Sequence, residues 1–303
     1  MNTRLSMHPS RQQRLYGYLS LARISNSPTI ISDSLVGAAC AGVIWPDGTV
    51  AIVALAMLLF YIAGVYLNDV LDFAVDCHEN PQRPLPAGLL SRTAATTITV
   101  SLFFIGSTLL SSIGLLPFLS GLVLIAFILC HNLWHRGNPL SPLFLAGCRG
   151  MVYVTAFLAC SSRDLISVLI PVSLLMLYVI GLTNLAKARH QPRAINVGIK
   201  LILFLTAAYA IWRAPFAALP LVLFFTVWVT YSAFFIPRMK NRDVSSYRAK
   251  KHASERMVER LIAGIALLDA LMLVTVGSAA GVAVALVAFG LTLFLQRYVR
   301  GSR

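Results

Sequence analysis

Residues 68–91 read NDVLDFAVDCHENPQRPLPAGLLS and separate two strongly apolar runs, residues 50–68 and 93–113. Four of the eleven acidic residues of the chain lie in the first half of this stretch: Asp69, Asp72, Asp76 and Glu79. The three aspartates are spaced i, i+3 and i+7, which places their carboxylates on one face of a helix. Such a cluster between two apolar runs predicts a polar site at the end of a membrane helix.

The composition around this stretch is that of an integral membrane protein. The 303 residues are 58% hydrophobic and only 12% charged, whereas soluble domains carry about 25% charged residues. Long unbroken apolar runs, rather than alternating strands, predict an all-α membrane bundle of nine to ten transmembrane helices. The apolar stretches are residues 28–45, 50–68, 93–113, 116–133, 143–160, 165–185, 197–212, 216–236, 259–277 and 279–296.

The basic residues predict the orientation of the bundle. With the N-terminus inside, alternate loops place every basic cluster in the cytoplasm, and the formal net charge of +14 then reflects topology and lipid contact rather than nucleic-acid binding. We expect one domain over residues 1–303, multi-pass in the inner (cell) membrane of a bacterium. Its cytoplasmic segments are residues 1–27, 68–92 and 237–258.

The acidic cluster is interpreted as a magnesium site. Mg²⁺ takes oxygen ligands and is commonly held by one or two carboxylates together with substrate phosphates and water. Asp69, Asp72 and Asp76 offer carboxylates and Asn68 a neutral oxygen, so these four are the predicted metal ligands. The alternative is a solvated helix end in which the same residues only cap the helix and contact water.

The loop after the aspartates adds a candidate phosphate-binding cation. Arg83 offers a planar fork of donors suited to phosphate oxygens. Pro84 and Pro86 are expected to hold its segment extended. Gly88 predicts a turn, and Ser91 predicts the N-cap of the next helix.

The whole stretch resembles the first aspartate-rich motif of the UbiA superfamily of intramembrane prenyltransferases. The family pattern NDxxDxxxD, followed by a loop ending in RP, is matched by Asn68, Asp69, Asp72, Asp76, Arg83 and Pro84. A fuller form, NPxRPxPxGxxS, is matched across residues 80–91 by Asn80, Pro81, Arg83, Pro84, Pro86, Gly88 and Ser91. The segment RISNSPTIISDSLVGA, residues 23–38, also looks like the family's first helix, with Arg23, Asn26 and Pro28 in place.

The resemblance implies a helical bundle around a central cavity and a magnesium-dependent prenyl transfer. The aspartates would bind Mg²⁺, which binds the diphosphate of an isoprenyl diphosphate donor whose tail lies in an apolar tunnel open to membrane lipid. A small acceptor of unknown identity would be prenylated. The implied catalytic residues are Asp69, Asp72 and Asp76, with Asn26, Asn68 and Arg83 binding substrate.

The family's second aspartate-rich motif is altered in this chain. Laying DxxDxxxD on YVIGLTNLAKARHQPR places Thr183, Ala186 and His190 where aspartates are expected. Lys187 and Arg189 are candidates to replace a second Mg²⁺ by contacting the diphosphate, with Thr183 beside them; alternatively they are ordinary cytoplasmic flanking residues. The pattern is similar to a branch associated with small bacterial operons for secreted prenylated metabolites, and the phosphoribosyl-transferring branch is altered here too.

Three more charged residues lie within apolar stretches, where charges are costly and usually face a cavity. Asp33 is a candidate to line the central cavity and orient the acceptor, or to be a packed, hydrogen-bonded group. Arg149 is a candidate contact for the diphosphate or acceptor, unless it reaches back to the interface. For Asp269 we favour a structural role.

Three functions are compatible with these residues. The first is Mg²⁺-dependent transfer of an isoprenyl group from a polyprenyl diphosphate to a small acceptor. The second is phosphoribosyl-type transfer onto a polyprenyl phosphate, and the third is a non-catalytic isoprenoid-binding or transport protein. The complete first motif favours the first, since three clustered aspartates have no evident purpose without metal and phosphate.

Overall fold

A computed structural model describes residues 10–43, 45, 47–135, 137–160, 165–187, 193–235 and 247–298. All regular secondary structure in these residues is helical, which confirms the predicted all-α bundle. A single 3₁₀ turn (Ile24–Asn26) and a π-helical turn (Tyr231–Phe235) interrupt the α-helices. In chain order these are α1 (Arg11–Leu21), α2 (Pro28–Cys40), α3 (Gly48–Glu79), α4 (Arg92–Ile113), α5 (Leu115–Trp134), α6 (Ser141–Cys160), α7 (Ile166–Lys187), α8 (Arg193–Ile202), α9 (Leu205–Arg213), α10 (Pro215–Thr230), α11 (Tyr247–Thr275) and α12 (Ala279–Tyr298).

Every predicted apolar stretch contains a helix, but the helices are not ten equal spans. In the described part of the chain, seven are long and apolar enough to cross a membrane: α3 to α7, α12, and α10 with the π-helical turn that follows it. The stretch 28–45 forms the short α2 of 13 residues, and the stretch 197–212 is divided between α8 and α9. The predicted stretch 259–277 is only the apolar part of α11, which begins in a charged segment.

The short helix α2 lies in the interior of the bundle. Its residues from Pro28 to Ala38 are buried except for Ile31, although several of them are polar. Hydroxyl groups of α2 form hydrogen bonds with backbone carbonyls of the preceding turn. The Thr29 hydroxyl donates to the carbonyl of Asn26 at 2.8 Å, and the Ser34 hydroxyl donates to that of Ile30 at 2.9 Å. Such bonds let a polar helix be buried without unpaired donors.

A glycine brings α2 against α6. A Cβ atom at Gly37 would lie 2.3 Å from the backbone oxygen of Tyr153 and 2.8 Å from the Cβ of Ala156, so any side chain there would push the helices apart. Asp33 lies one turn before Gly37, and Arg149 lies one turn before Tyr153. Residues four apart share a helix face, so this close contact brings Asp33 and Arg149 opposite each other.

The outer helices present large apolar side chains away from the core. Phe104 of α4, Leu115 of α5, Phe216 of α10 and Val287 of α12 are each at least two-thirds exposed. In water so much exposed apolar surface would be unfavourable. In a bilayer these side chains contact lipid, as expected for an integral membrane protein.

The loop after α3 is turned rather than extended, so the expectation for Pro84 and Pro86 was wrong. Consecutive turns run through it, with the Arg83 amide donating to the Asn80 carbonyl at 3.0 Å and the Leu89 amide to the Pro84 carbonyl at 2.9 Å. The fixed φ of proline suits the early positions of turns as well as extended chain. Gly88 has φ +73°, and the Ser91 hydroxyl accepts from the Ala94 amide at 3.1 Å, which confirms the predicted turn and cap.

Candidate functional site: an acidic cluster at the mouth of an apolar chamber

Helix α3 continues past its apolar part and carries all three aspartates. Its 32 residues correspond to about 48 Å at 1.5 Å per residue, well over the roughly 30 Å of a bilayer's hydrocarbon core. A helix of this length extends beyond the core, and we expect its charged last turns to be the part at the membrane interface. Asp69, Asp72 and Asp76 lie on the inward face of these turns and are 2%, 9% and 3% exposed, respectively. The predicted single-face arrangement is confirmed, and the solvated helix end is excluded by this burial.

Two arginines compensate the charge of Asp69 and Asp76. Arg83 Nη1 lies 2.6 Å from Asp76 Oδ2 and 3.9 Å from Asp69 Oδ1, so it bridges the two carboxylates. Arg23 Nη2 approaches Asp69 Oδ1 at 3.6 Å from the other side. The loop folds Arg83 back onto the helix it follows. Asn80, the first residue after α3, also donates to Asp76 Oδ1 at 3.3 Å.

Arg23 is held in an unusual backbone conformation. Its φ and ψ are +42° and +45°, the left-handed region that non-glycine residues rarely occupy. The Tyr61 hydroxyl of α3 donates to the Arg23 carbonyl at 3.2 Å. Backbone strain of this kind is characteristic of binding and catalytic sites, where the surrounding structure maintains it; here the turn directs the guanidinium towards Asp69.

Asp72 has a different set of partners. The Asn68 amide nitrogen donates to Asp72 Oδ2 at 2.9 Å, and His135 Nε2, just past the end of α5, lies 3.4 Å from the same oxygen. The ring of His131, one turn earlier, is 6.0 Å from that of His135. The acidic cluster therefore has two parts, Asp69 with Asp76 and Asp72 with Asn68.

A cavity of about 310 Å³, here called the chamber, opens beside this cluster. It is bounded by α2, α3, α5, α6, α7, α11 and the turn before α2, and its walls are mainly aliphatic and aromatic. No carboxylate occurs among the described residues that line it. Its polar lining consists of Arg23, Asn26, Tyr61, Asn68, His131, Asn132, Arg149 and Thr183, together with the thiol of Cys148.

The three aspartates are next to the chamber rather than in its wall. Arg23 and Asn68 line the chamber, and each contacts an aspartate. A ligand in the chamber would therefore meet the acidic cluster through these two side chains. Asn26 and Asn68, both predicted to bind substrate, are among the lining residues.

Asp33 is a packed group and does not line the chamber, which corrects its predicted role as a substrate contact. It is fully buried and forms a salt bridge with Arg149, whose side chain is 12% exposed and lines the chamber wall. Arg149 therefore does not reach back to the interface. Asp269 is fully buried and accepts hydrogen bonds from the hydroxyls of Ser32 and Tyr153, as expected of a structural residue.

The altered second motif is only partly in the chamber. Thr183 and Ala186 of α7 line it, and the Thr183 hydroxyl donates to the Val179 carbonyl at 2.7 Å. Lys187 ends α7, is exposed, and is not among the lining residues of the chamber. Arg189 and His190 lie outside the described residues.

The donor chemistry of the cluster fits magnesium, but only with help from a substrate. In the described ranges no three His, Cys, Asp or Glu side chains converge on one point, because Arg83 separates Asp69 and Asp76 and Asp72 turns towards Asn68. A metal cage made by the protein alone is not formed. Mg²⁺ commonly takes one or two carboxylates and completes its shell with phosphate oxygens and water, and Asp72, Asn68 and Asp69 offer oxygens of that kind.

Sequence reasoning missed two contributors to this site. Arg23 matched the family's first helix but was not predicted to bind substrate, and its left-handed backbone has no signature in the sequence. His135 was not singled out at all. The i, i+4 spacing of His131 and His135 in HNLWH was an available signal, because it places both rings on one face of α5.

The comparisons with known proteins agree with this geometry. The model of the UbiA prenyltransferase family matches residues 30–239. Digeranylgeranylglyceryl phosphate synthase of Thermococcus kodakarensis is 27% identical over 233 residues, 67% of this chain and 79% of that protein. The protein of the same name from Sulfolobus acidocaldarius is 31% identical over 131 residues, 43% of this chain and 46% of that protein. The chain thus aligns with under half the length of the second relative.

Two solved structures have the same fold. One, described as giving structural and mechanistic insights into the biosynthesis of digeranylgeranylglyceryl phosphate synthase in membranes, superposes with a TM-score of 0.60 at 15% identity, over 87% of this chain and 98% of that chain. The apo structure of a UbiA homolog from Aeropyrum pernix K1 gives 0.52 at 15% identity, over 89% and 98%. The family match over residues 30–239, on a helical bundle of the same fold, shows that the chain belongs to the UbiA prenyltransferase family.

Proposed function

We propose that this protein transfers an isoprenyl group from a polyprenyl diphosphate to a small acceptor inside the membrane. The observation that carries the proposal is the cluster of three buried aspartates, Asp69, Asp72 and Asp76, paired with Arg83 and Arg23 at the mouth of a mainly apolar chamber. Charged groups of both signs suit a metal-bound diphosphate, and an apolar chamber suits an isoprenyl tail. Family membership supports the same reaction.

The reaction breaks the bond between C1 of the prenyl group and the diphosphate oxygen, and the electron pair leaves with the diphosphate. C1 then bonds to the acceptor nucleophile, which loses a proton to the departing diphosphate. Bound Mg²⁺, held by Asp69, Asp72 and Asn68 with phosphate oxygens, would supply charge neutralisation for the leaving group.

The chain's own residues support this chemistry in three ways. Arg23 and Arg83 are placed to donate to diphosphate oxygens as negative charge develops there. The aliphatic walls of the chamber exclude water from the developing allylic cation. Asn26, Thr183 and Arg149 offer polar contacts along the chamber wall for the acceptor.

Lys187 remains a predicted replacement for a second metal ion. It ends α7 one turn after Thr183, which lines the chamber, and a flexible ammonium at that position can reach an anion at the mouth. Arg189 keeps the same predicted role. The distribution of the basic clusters supports the further proposal that the mouth lies at the cytoplasmic face of the cell membrane, with the N-terminus inside.

Diphosphate release by purified protein tests the proposal. Geranyl, farnesyl and geranylgeranyl diphosphates would be supplied with and without Mg²⁺, and binding and release of diphosphate measured. We expect magnesium-dependent binding of at least one donor, and Asp69→Asn should lower turnover by about 100-fold because the charge facing the leaving group changes. A strong loss of diphosphate release in Lys187→Ala would indicate that this cation has replaced the second metal ion.

The matched control is Glu79→Gln, which removes an exposed carboxylate three residues after Asp76 and should leave donor binding unchanged. If a folded protein binds none of the three donors, prenyl diphosphate is not its substrate and the proposal falls. If donor binding is equal with and without Mg²⁺, the metal ion has no place in the proposed mechanism.

A further inference from the structure

The chamber runs lengthwise along α3, away from the acidic cluster. The residues of α3 that line it recur every three or four positions, so they form one stripe on a single helix face. They are Met57, Phe60, Tyr61, Gly64, Val65 and Asn68. Asn68 is the end of the stripe nearest the cluster, because its amide donates to Asp72. The other end of the stripe is Met57, deep in the bundle.

Helix α5 follows the same direction from mouth to depth. His135 lies 3.4 Å from Asp72 at the mouth, and the Asn132 amide donates to the Gly64 carbonyl at 3.2 Å. Leu124 lines the chamber two turns before Asn132, so it lies on the deep side. The polar residues of α3 and α5 are therefore near the mouth, and their deep lining is apolar.

The deep end of the chamber, here called the floor, is a closed apolar surface. It consists of Ile30, Met57, Phe60, Leu124 and Val152, which line the chamber and belong to one buried apolar cluster. Each of these side chains is at most 3% exposed. The chamber therefore ends where these residues meet.

Phe60 is held rigidly in the floor. Its ring faces Gly106 of α4 and Gly121 of α5, where an added Cβ atom would lie 2.5 Å and 3.3 Å from ring carbons. The centroid of the Phe103 ring is 6.0 Å from that of Phe60. A ring enclosed in this way cannot turn aside unless α4 or α5 moves, because helical interiors are close-packed. Phe60 is therefore a fixed stop.

The depth of the chamber corresponds to three isoprene units. Asn68 and Met57 are eleven positions apart on α3, which is about 16 Å at 1.5 Å per residue. An extended backbone advances roughly 3.5 Å over its three bonds, so the four bonds of an isoprene unit span about 5 Å. Three units then need about 15 Å and four need about 20 Å.

We propose that Phe60 and Met57 set the length of the isoprenyl tail and make the three-unit farnesyl diphosphate the preferred donor. The inference rests on the proposed prenyl transfer and names its donor. Arg23 and Asn68 line the chamber and contact aspartates, so a diphosphate held there places C1 near Asn68. The third unit then reaches the floor.

Tails of other lengths fit this chamber less well. A fourth unit would meet Phe60 before the diphosphate reaches the acidic cluster, which displaces C1 from the groups that act on it. A tail of two units would leave the floor without contacts, and the dispersion attraction of its side chains would be lost. The floor therefore discriminates in both directions.

The three donors of the diphosphate-release experiment test the length. With purified protein and Mg²⁺, we expect farnesyl diphosphate to bind more tightly and release diphosphate faster than geranyl and geranylgeranyl diphosphate. The difference should be about 10-fold or more, as for pockets that discriminate by a few apolar carbons.

Variants of the floor link this preference to its residues. Phe60→Leu should shift the preference to geranylgeranyl diphosphate, because a shorter side chain opens the chamber towards Gly106 and Gly121. Met57→Ala should shift it in the same direction and is a second test should Phe60→Leu fail to fold. The matched control is Phe104→Leu, a side chain of α4 that is 73% exposed and outside the described lining; it should keep the original order of donors.

The order of the donors separates length control from a structural role. If Phe60 only stabilised the bundle, Phe60→Leu would slow all three donors equally and farnesyl diphosphate would remain preferred. That result in the folded variants would overturn the proposal, as would equal use of the donors, or preference for a shorter or longer one, by the unaltered protein. Binding of none of the three would instead count against the prenyl transfer itself.

Discussion

At the scale of single residues, Arg83 decides how three buried carboxylates coexist on one helix. Its guanidinium bridges Asp76 and Asp69, and its side chain is only 17% exposed. Removing one partner of such a buried pair leaves a charge without compensation, which costs more than the pair itself contributes. Arg83 therefore has a structural role when no ligand is bound, in addition to the proposed contact with diphosphate.

Arg83→Gln should lower the free energy of unfolding by roughly 3 kcal/mol, measured as a lower midpoint of thermal unfolding in a fixed detergent. Asp76→Asn in the same chain should recover part of this loss, because it removes one of the carboxylates left unpaired. The matched control is Arg92→Gln, an exposed arginine at the start of α4. Additive effects of the two substitutions would contradict the pairing.

The helix face of the three aspartates was predictable from the sequence, but their partners were not. Their spacing predicted one helix face, and α3 carries them there. Their partners were not predictable, since Arg23, Arg83 and His135 come from three different segments. The sequence contains no sign of how far the loop after α3 would fold back, and Pro84 suggested the wrong conformation.

At the scale of elements, the contact between α2 and α6 depends on one missing side chain. Gly37 lets the backbone of Tyr153 approach so closely that no larger residue fits without moving a helix. The contact also sets the distance between Asp33 and Arg149. Small residues at helix contacts are typical of membrane bundles, in which close packing replaces the hydrophobic driving force.

Gly37→Ala should destabilise the protein by about 1–3 kcal/mol, as overpacking in a rigid interior does, and it should reduce acceptor turnover by displacing Arg149. The measurement pairs thermal unfolding with steady-state kinetics. Gly290→Ala is the control, because nothing lies within 4 Å of a Cβ at that position of α12; it should leave stability the same or raise it slightly. Equal effects of the two substitutions would contradict the assigned contact.

Hydropathy predicted where the helices occur, but it did not predict the helix ends that are set by packing. The ten apolar stretches all contain helices, because a backbone in lipid must satisfy its own hydrogen bonds. Their lengths were less predictable. α2 ends after 13 residues, and residues 197–212 break between α8 and α9, neither of which follows from the run of apolar residues.

At the scale of the whole molecule, buried polar groups connect three helices behind the chamber. Asp33 of α2 pairs with Arg149 of α6, and Asp269 of α11 accepts from Ser32 of α2 and Tyr153 of α6. Charges inside a membrane protein are retained when they are paired or serve a ligand. Arg149 is paired with Asp33 on one side and lines the chamber on the other.

Arg149→Met should destabilise the fold by roughly 3 kcal/mol because Asp33 loses its partner. The double variant Arg149→Met with Asp33→Asn should recover most of the stability and none of the acceptor turnover. Thermal unfolding and the acceptor KM and kcat separate the two effects. Full activity in the double variant would show that Arg149 only packs against Asp33.

The sequence by itself determined the class of the molecule, the places along the chain where helices form and the position of the acidic cluster. Hydropathy and the spacing of the aspartates depend on neighbouring positions along the chain, so they can be read without a structure. The motif of residues 68–91 also predicted the family.

Only the tertiary structure decided which side chains meet. The salt bridge between Arg23 and Asp69 and the pairing of Asp33 with Arg149 each join residues from segments that are far apart in the sequence. The physical reason is that these contacts depend on how closely helices approach and rotate against one another. Packing of the complete bundle sets those distances, and no local pattern in the chain records them.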